Sequence, residues 1–322
     1  MMISIVLPVY NEAESLEELY EKLEDAMASL GAAYEYIFVD DGSSDGSLAI
    51  LRSLHERAPR HVHVLSFRRN FGKSAALGTA FRRARGDIVI TMDTDLQDDP
   101  MEIPRLIERI EAGADLVSGW KKTRHDPVSK RLPSKFFNFV TSRTSGLDLH
   151  DFNCGLKAYR REVVKSISVY GELHRFIPVL AAWEGFRVEE LEVRHFSRKY
   201  GKSKFGASRF LNGFFDLVTV MFITRRAKNP LHFFGRIAAV LFVLGLLPQL
   251  WFLLQYLGGI GLRVRPLMLG GFVLIIVALQ IMSMGLVAEL LTARSGGETA
   301  YSLKEDLPAA GGTPGAGETE SP

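Results

Sequence analysis

Ile88-Val89-Ile90-Thr91-Met92-Asp93-Thr94-Asp95-Leu96-Gln97-Asp98-Asp99-Pro100 reads as a short apolar strand that ends in a cluster of carboxylates. Asp93 and Asp95, one residue apart at the carboxyl end of that strand, can share a hard divalent cation, which takes oxygen ligands and bridges readily to phosphate oxygens. Diphosphate chemistry is the functional reading. An acidic turn, favoured by Asp for conformational reasons alone, is the alternative, and the tripeptide gains weight only from its company.

That company lies on both sides of it. From the start to about residue 119, β-branched apolar runs alternate with helical periods, the pattern of a parallel sheet with crossover helices. Strands are expected at 3–9, 36–40, 61–67, 88–92 and 115–119, with helices near 14–30, 44–57, 73–84 and 101–111. In such sheets ligands lie beyond the carboxyl ends of the strands, at a switch point. Asn11-Glu12, Asp40-Asp41, Asn70 to Lys73 and Asp93 to Asp95 all follow strands at that edge, so four polar clusters converge on one crevice.

Composition narrows the classes. The chain has 322 residues, 47% apolar and 24% charged, with a formal charge of +2. It is long enough for one ample core plus an appendage, and nothing global asks for nucleic acid. Cys154 is the single cysteine, so no intramolecular disulfide forms, and a buried inert thiol is its expected state. No Gly-x-Gly-x-x-Gly follows the first strand, which disfavours a dinucleotide-binding dehydrogenase. Phe71-Gly72-Lys73-Ser74 lacks the preceding glycine of a Walker loop.

Carboxylates in Asp40-Asp41-Gly42-Ser43-Ser44-Asp45-Gly46 can accept hydrogen bonds from a nucleobase imide or ribose hydroxyls, and the small residues let the backbone turn sharply. A strand-to-helix turn capped by Ser43 or Ser44 is the other reading. Between 120 and 205 the alternation loosens. Basic stretches stand at Lys121 to Arg124 and Lys130 to Lys135, with a helix expected around 175–184 and a strand at 187–193.

Beyond Gly206 the composition turns strongly apolar. Stretches 233–257 and 266–291 are each long enough to cross a hydrocarbon layer of about 30 Å, and their apolar character runs all round the helix, against the alternative of a buried soluble pair. Phe210, Phe214, Phe215, Val218, Phe222 and Ile223 beside Arg209, Asp216, Arg225, Arg226 and Lys228 suggest an interfacial amphipathic helix. Arg225, Arg226 and Lys228 precede the first span and Arg294 and Lys304 follow the second, with Arg263 and Arg265 between them. With no secretory leader at the amino terminus, the catalytic domain and both termini are expected in the cytoplasm. Gly, Pro, Ala, Glu and Thr accumulate from Ser295, and the tail is expected to be largely disordered. The expected organisation is a domain at 1–205, interfacial helices at 206–230, two transmembrane helices at 231–293 and a tail at 294–322.

Taken together, Leu7-Pro8-Val9-Tyr10-Asn11-Glu12, Val39-Asp40-Asp41-Gly42-Ser43-Ser44-Asp45, Asn70-Phe71-Gly72-Lys73 and Asp93-Thr94-Asp95-Leu96-Gln97 resemble the family-two inverting glycosyltransferases in order and spacing. Asp151-Phe152-Asn153-Cys154-Gly155-Leu156-Lys157, His174-Arg175-Phe176-Ile177-Pro178 and Arg198-Lys199-Tyr200-Gly201-Lys202-Ser203-Lys204-Phe205 resemble the polyprenyl-phosphate branch of that family, which includes dolichyl-phosphate mannose synthases and bacterial undecaprenyl-phosphate glycosyltransferases. Asn153 departs from members that carry Arg or Asp there. The Gln-x-x-Arg-Trp signature of processive polysaccharide synthases is absent.

The resemblance implies an α/β, Rossmann-like nucleotide-sugar-binding domain of the A-type glycosyltransferase fold, followed by an amphipathic helix and two transmembrane helices. It implies a nucleotide diphosphate-sugar donor near Pro8, Tyr10, Glu12, Asp40, Asp41, Lys73 and Asp93, and Mg²⁺ or Mn²⁺ at Asp93, Asp95 and Gln97. Arg175, Arg198, Ser203 and Lys204 would hold phosphate groups, with Arg124 and Arg131 as weaker candidates. Asp151 would orient the attacking phosphate or a sugar hydroxyl, or cap a turn. The implied product is a lipid-phosphate-linked monosaccharide made from polyprenyl phosphate, undecaprenyl or dolichyl, with the bacterial inner membrane as the expected location. A membrane-tethered transferase with a different acceptor and a non-catalytic nucleotide-sugar-binding scaffold are the rivals. Homo-oligomerisation stays open.

Overall fold

The computed structural model describes residues 1–122, 138, 141–143, 145–171, 173–197, 199–200, 230–259, 265–294 and 303–307. Two units result, one built from the amino-terminal part plus the final residues and one from 221–300.

In the first unit, strands β1 (Met2–Val9), β2 (Ala33–Asp40), β3 (Val62–Phe67), β4 (Ile88–Thr91) and β5 (Leu116–Trp120) alternate with helices α1 (Leu16–Leu30), α2 (Ser47–Arg57), α3 (Lys73–Arg83) and α4 (Ile103–Glu111). These match the expected elements to within a few residues. Helix α1 shows why: Leu16, Leu19, Leu23, Ala26 and Met27 recur at helical spacing and are all buried. A 3-10 turn over Pro100–Glu102, capped by Asp99 accepting from the Met101 N–H at 3.0 Å, precedes α4.

The second half carries β6 (Lys157–Arg160), α5 (Arg161–Ser166), a 3-10 turn at Leu173–Phe176, α6 (Ile177–Trp183) and β7 (Val188–Glu192). Spatial order is β7-β5-β6-β4-β1-β2-β3-β8. The first strands run parallel, as expected, and the whole sheet is mixed because β6, for which no strand was expected, runs antiparallel to both β4 and β5. Chain order reverses at β1, whose neighbours are β2 on one side and β4 on the other. That is the switch point, and β1 and β4 both aim their carboxyl ends at it.

Strand β8 (Leu303–Leu307) pairs antiparallel with β3. The expectation of a largely disordered tail therefore does not hold for these five residues, whose backbone groups satisfy the edge of β3. At the opposite end of the strands, buried Glu35 accepts from Ser4 Oγ at 2.6 Å and from Arg85 Nε and Nη2 at 2.9 and 2.6 Å, tying β1 and β2 to the turn before β4.

The second unit is a helix pair, α7 (Pro230–Leu257) and α8 (Pro266–Arg294). Both are long and apolar enough to cross a membrane, over Leu231–Leu257 and Pro266–Ala288, and most of their apolar side chains are exposed rather than packed in a protein core. Gln249, one of the few polar interruptions, donates from Nε2 to the Met268 carbonyl at 2.8 Å, so α7 and α8 share a hydrogen bond. The expected amphipathic helix at 206–230 lies outside the described residues, apart from its last residue, which opens α7.

Candidate active site

Three loops meet at the switch point. After β1, Asn11 takes a left-handed backbone (φ 51°), which Asn tolerates better than most residues. Its N–H donates to Ser43 Oγ at 2.9 Å, and its side-chain oxygen accepts from the Ser44 N–H at 2.7 Å. The loop after β1 is thereby fixed to the loop after β2. Glu12 joins them, donating its N–H to Ser47 Oγ at 3.0 Å. Tyr10 stays exposed at the mouth.

Asp40 and Asp41 are both buried and already engaged. Asp40 accepts from the Ser43 N–H at 3.1 Å and from Ser66 Oγ at 2.9 Å. Asp41 accepts from the Phe71 and Gly72 N–H groups at 2.7 and 2.9 Å. Burial pushes the Asp41 carboxyl above its ordinary pKa, with the two amide bonds pulling the other way and neighbouring Asp40 adding to the rise. Asp41 therefore braces the loop that delivers Lys73, while Asp40 ties the turn after β2 to β3. Gly42 completes the join: at φ 68° its α-carbon lies so close to the Arg69–Asn70 backbone that an added β-carbon would stand 2.5 Å from the Arg69 carbonyl carbon.

After β4 the chain turns through Asp93-Thr94-Asp95-Leu96-Gln97. Leu96 has φ 60°, an uncommon backbone for a residue other than Gly or Asn, and its buried side chain belongs to the main core. Thr94 locks the turn, donating from Oγ1 to the Pro8 carbonyl at 3.1 Å while its own carbonyl accepts from Ser15 Oγ at 2.7 Å. The Lys73 ammonium pairs with Asp93. Asp95, nearly buried, accepts from the Gln97 N–H at 3.2 Å. Gln97 donates from Nε2 to the Phe196 carbonyl at 3.3 Å, which leaves its Oε1 available to a cation.

Among the described residues no group of three or more His, Cys, Asp and Glu side chains could hold a metal ion. Two carboxylates and an amide oxygen form a partial, all-oxygen donor set. That fits a hard cation which completes its shell from phosphate and water.

Residues 151–157 form the far wall. Asp151 is 1% exposed; its Oδ1 accepts from the Asn153 N–H at 3.1 Å and its own N–H donates to Glu190 at 2.9 Å. Gly155 lies directly beneath Asp93: a β-carbon there would meet Asp93 Oδ2 at 2.5 Å. Behind Asp93 a small cavity, with space for little more than a water molecule, is lined by Lys73, Asn153, Gly155, Lys157 and His174 among others. His174 is anchored to the first turn of α3, its Nδ1 2.9 Å from Ser74 Oγ and its N–H donating to that oxygen at 3.1 Å. Arg175 is buried, on the turn that His174 anchors.

The structure thus brings Pro8, Tyr10, Glu12, Asp40, Asp41, Lys73, Asp93, Asp95 and Gln97 to one sheet edge. Arg124, Arg131, Arg198, Ser203 and Lys204 lie outside the described residues. Sequence reasoning assigned nothing to Gly155, Lys157 or His174. A lysine inside the apolar run Leu156 to Tyr159 was the available signal for Lys157.

A buried charge cluster backs the loop after β4. Lys121 Nζ lies 2.8 Å and His195 Nδ1 3.7 Å from Asp98 Oδ1. Burial alone would raise the Asp98 carboxyl, but the Lys121 ammonium and the His195 ring hold it well below the usual carboxylate range. The Phe196 N–H donates to the Gln97 carbonyl at 2.8 Å, so the cluster also joins this loop to the segment after β7.

Residues 4–168 match the model of glycosyl transferase family 2. The chain belongs to that family. It is 37% identical over 299 residues to a dodecaprenyl-phosphate galacturonate synthase of Rhizobium johnstonii, covering 90% of this chain and 87% of that protein. It is 39% identical over 296 residues to an undecaprenyl-phosphate 4-deoxy-4-formamido-L-arabinose transferase of Pseudomonas aeruginosa, covering 90% and 85%. A solved structure of glucosyl-3-phosphoglycerate synthase from Mycobacterium tuberculosis, in complex with Mn²⁺, uridine diphosphate and glucosyl-3-phosphoglycerate, superposes with a TM-score of 0.51 at 19% identity, covering 67% of this chain and 79% of that one. Mannosyl-3-phosphoglycerate synthase from Rubrobacter xylanophilus gives 0.54 at 15%, covering 71% and 75%. The last two establish the fold. Family membership establishes this family 2 protein as a glycosyltransferase, in agreement with the resemblance drawn from its motifs.

Proposed function

We propose that this family 2 enzyme transfers a sugar, with inversion, from a nucleotide diphosphate-sugar to the phosphate of a polyprenyl lipid at a membrane. The observation that carries the reading is the Asp93/Asp95/Gln97 turn at the switch point, with Lys73 on Asp93. The named activities of the Rhizobium and Pseudomonas relatives supply the acceptor class. The apolar pair α7 and α8 supports keeping the enzyme where such a lipid resides.

Asp93, Asp95 and the Gln97 Oε1 would hold Mg²⁺ or Mn²⁺, which supplies Lewis-acid stabilisation of the departing diphosphate when bound. The other roles belong to the chain. Pro8, Tyr10, Glu12 and the 40–41 turn flank the nucleoside, with Asp40 and Asp41 bracing the loops around it. Once Asp93 turns to a cation, Lys73 is placed to take a diphosphate oxygen.

The acceptor phosphate is anionic at neutral pH, so attack needs positioning more than a strong base. An acceptor oxygen forms the new bond to the anomeric carbon as the bond from that carbon to the diphosphate oxygen breaks, and the nucleoside diphosphate leaves. Asp151, held in place through Glu190, orients the acceptor side. Arg175, together with Arg198, Ser203 and Lys204, is assigned to phosphate.

Asp95→Ala tests the reading. It should abolish lipid-linked product while leaving the protein folded and in the membrane fraction, and near-normal transfer at saturating donor and metal would sink it. A panel of nucleotide-sugars incubated with and without polyprenyl phosphate, read by mass spectrometry of the extracted lipid, identifies the donor. The two relatives are named for different sugars, one bearing a carboxylate and one not, so the panel must contain both kinds.

A further inference from the structure

Lys157 stands where a sheet interior asks for an apolar residue. Strand β6 lies between β4 and β5, and Lys157 pairs with Thr91 on one side and Ser118 on the other. Tyr159, two residues on and therefore on the same face, is fully buried and packs edge-on against Phe81 of α3. Lys157 is itself only 3% exposed. Its ammonium donates to the Cys154 carbonyl, and among the described residues no carboxylate lies within ion-pair distance of it. An ammonium carries three donors, so two remain.

Buried cations are kept in proteins by a paired anion, because desolvation is otherwise uncompensated. Here burial pulls the Lys157 pKa below its ordinary value and the charge of Lys73 adds to the fall, against Cys154, Asp151 and Asp93, which pull the other way. Lys157 lines the cavity behind Asp93 together with Lys73, Asn153 and His174. Asp93 lines the same cavity, so it adjoins the proposed cation site.

We infer that Lys157 and the cavity behind Asp93 form a subsite for an oxyanion carried by a substrate. Two sources have this chemistry: a carboxylate on the donor sugar and the phosphate of the lipid acceptor. In either case Lys157 is a specificity-determining residue that recognises charge at the floor of the pocket, distinct from the cation-binding turn above it. The inference rests on the proposed function for the identity of the substrates.

The test is equilibrium binding, by calorimetry, of three probes to the full chain in detergent. The probes are UDP-glucuronate, UDP-glucose and farnesyl phosphate. Lys157→Met should weaken UDP-glucuronate or farnesyl phosphate by about tenfold or more and leave UDP-glucose unchanged, and Lys157→Arg should restore most of the loss. Loss confined to UDP-glucuronate assigns the subsite to the sugar; loss confined to farnesyl phosphate assigns it to the acceptor. Should Lys157→Met fail to fold, Lys157→Gln, which keeps a donor for the Cys154 carbonyl, takes its place. Wild-type affinities for all three probes in a folded variant, or equal losses for all three, would overturn the inference and leave the lysine a structural one. Wild-type protein that binds none of the three would instead bring down the proposed function, and this subsite with it.

Discussion

Replacing Gly155 by Ala probes the site through a residue that carries no functional group. The new methyl would stand 2.5 Å from Asp93 Oδ2, 2.6 Å from its Cγ and 2.9 Å from Oδ1. Ordinary contact between such atoms begins near 3.4–3.5 Å, so the carboxylate must retreat by about 1 Å. It can do so cheaply. It is the free end of a side chain that is 32% exposed, and Gly155 does not use the left-handed backbone that penalises other residues.

The fold should therefore survive, with a stability change below about 1 kcal/mol, typical of substitutions that neither leave a cavity nor strand a polar group. Function should not survive unchanged. A displacement of about 1 Å in a positioning group costs on the order of 100-fold in rate. Initial rates of lipid-linked sugar formation in a manganese or magnesium titration should show that loss together with a higher half-saturating metal concentration. Because the methyl acts through Asp93, Gly155→Ala combined with Asp93→Ala should be no worse than Asp93→Ala alone. A rate within twofold of wild type, or losses that multiply in the double variant, would refute the argument that Gly155 exists to seat Asp93.

Gly42→Ala makes the same 2.5 Å approach with the opposite outcome, because its obstacle is the Arg69 backbone and its φ is 68°; thermal or urea denaturation should show a loss of at least about 2 kcal/mol. Lys121→Met strands the buried Asp98 carboxylate and should cost about 3–5 kcal/mol at neutral pH. In the wild type Asp98 is depressed, so its contribution is complete above the unfolded value of about 3.9 and is lost as pH falls through the lower folded value. In the variant burial dominates and raises Asp98, so the deficit should shrink as urea denaturation is repeated from about pH 8 down to 5; a deficit that stays constant over that range would contradict the assignment. Burial pushes the Cys154 thiol up to about 12, so thiol reagents at about pH 8 should label it only after unfolding.

The sheet edge was legible because each of β1 to β5 is a compact apolar run followed by polar residues, and chemistry in such sheets collects beyond strand ends. Strand β6 was not, since it has only four residues, carries Lys157 and Arg160, and is reached from a polar stretch with no crossover helix to announce it. Strand β8, with Lys304, Glu305 and Asp306 in five residues, has no apolar alternation and owes its conformation to the edge of β3. Asp40 and Asp41 were read as acceptors for a base or ribose hydroxyls, with a strand-to-helix turn as the alternative. Asp40 bonds Ser43 within its own turn and Ser66 on β3, and Asp41 bonds Phe71 and Gly72 in the next loop; no local pattern encodes the last three.

Those inter-loop bonds explain how a site made entirely of loops can be precise. Leu96 and Asn11 hold uncommon backbones that a free peptide would leave, each costing on the order of 1 kcal/mol or more. Leu96 is kept there by burial of its side chain in the main core, and Asn11 by hydrogen bonds to Ser43 and Ser44. The turn from Asp93 to Gln97 is pinned at both ends: Thr94 bonds to Pro8 and Ser15 on one side, and Gln97 bonds to Phe196 on the other. Asp93 and Asp95 are thus set by the packing of four separate segments before any ligand arrives, so binding a diphosphate would not have to order them. The proposed site and the fold share the same contacts here, and Gly155 is where they part: the nearest atoms that an added methyl would meet all belong to the Asp93 carboxylate, so its small size serves that side chain.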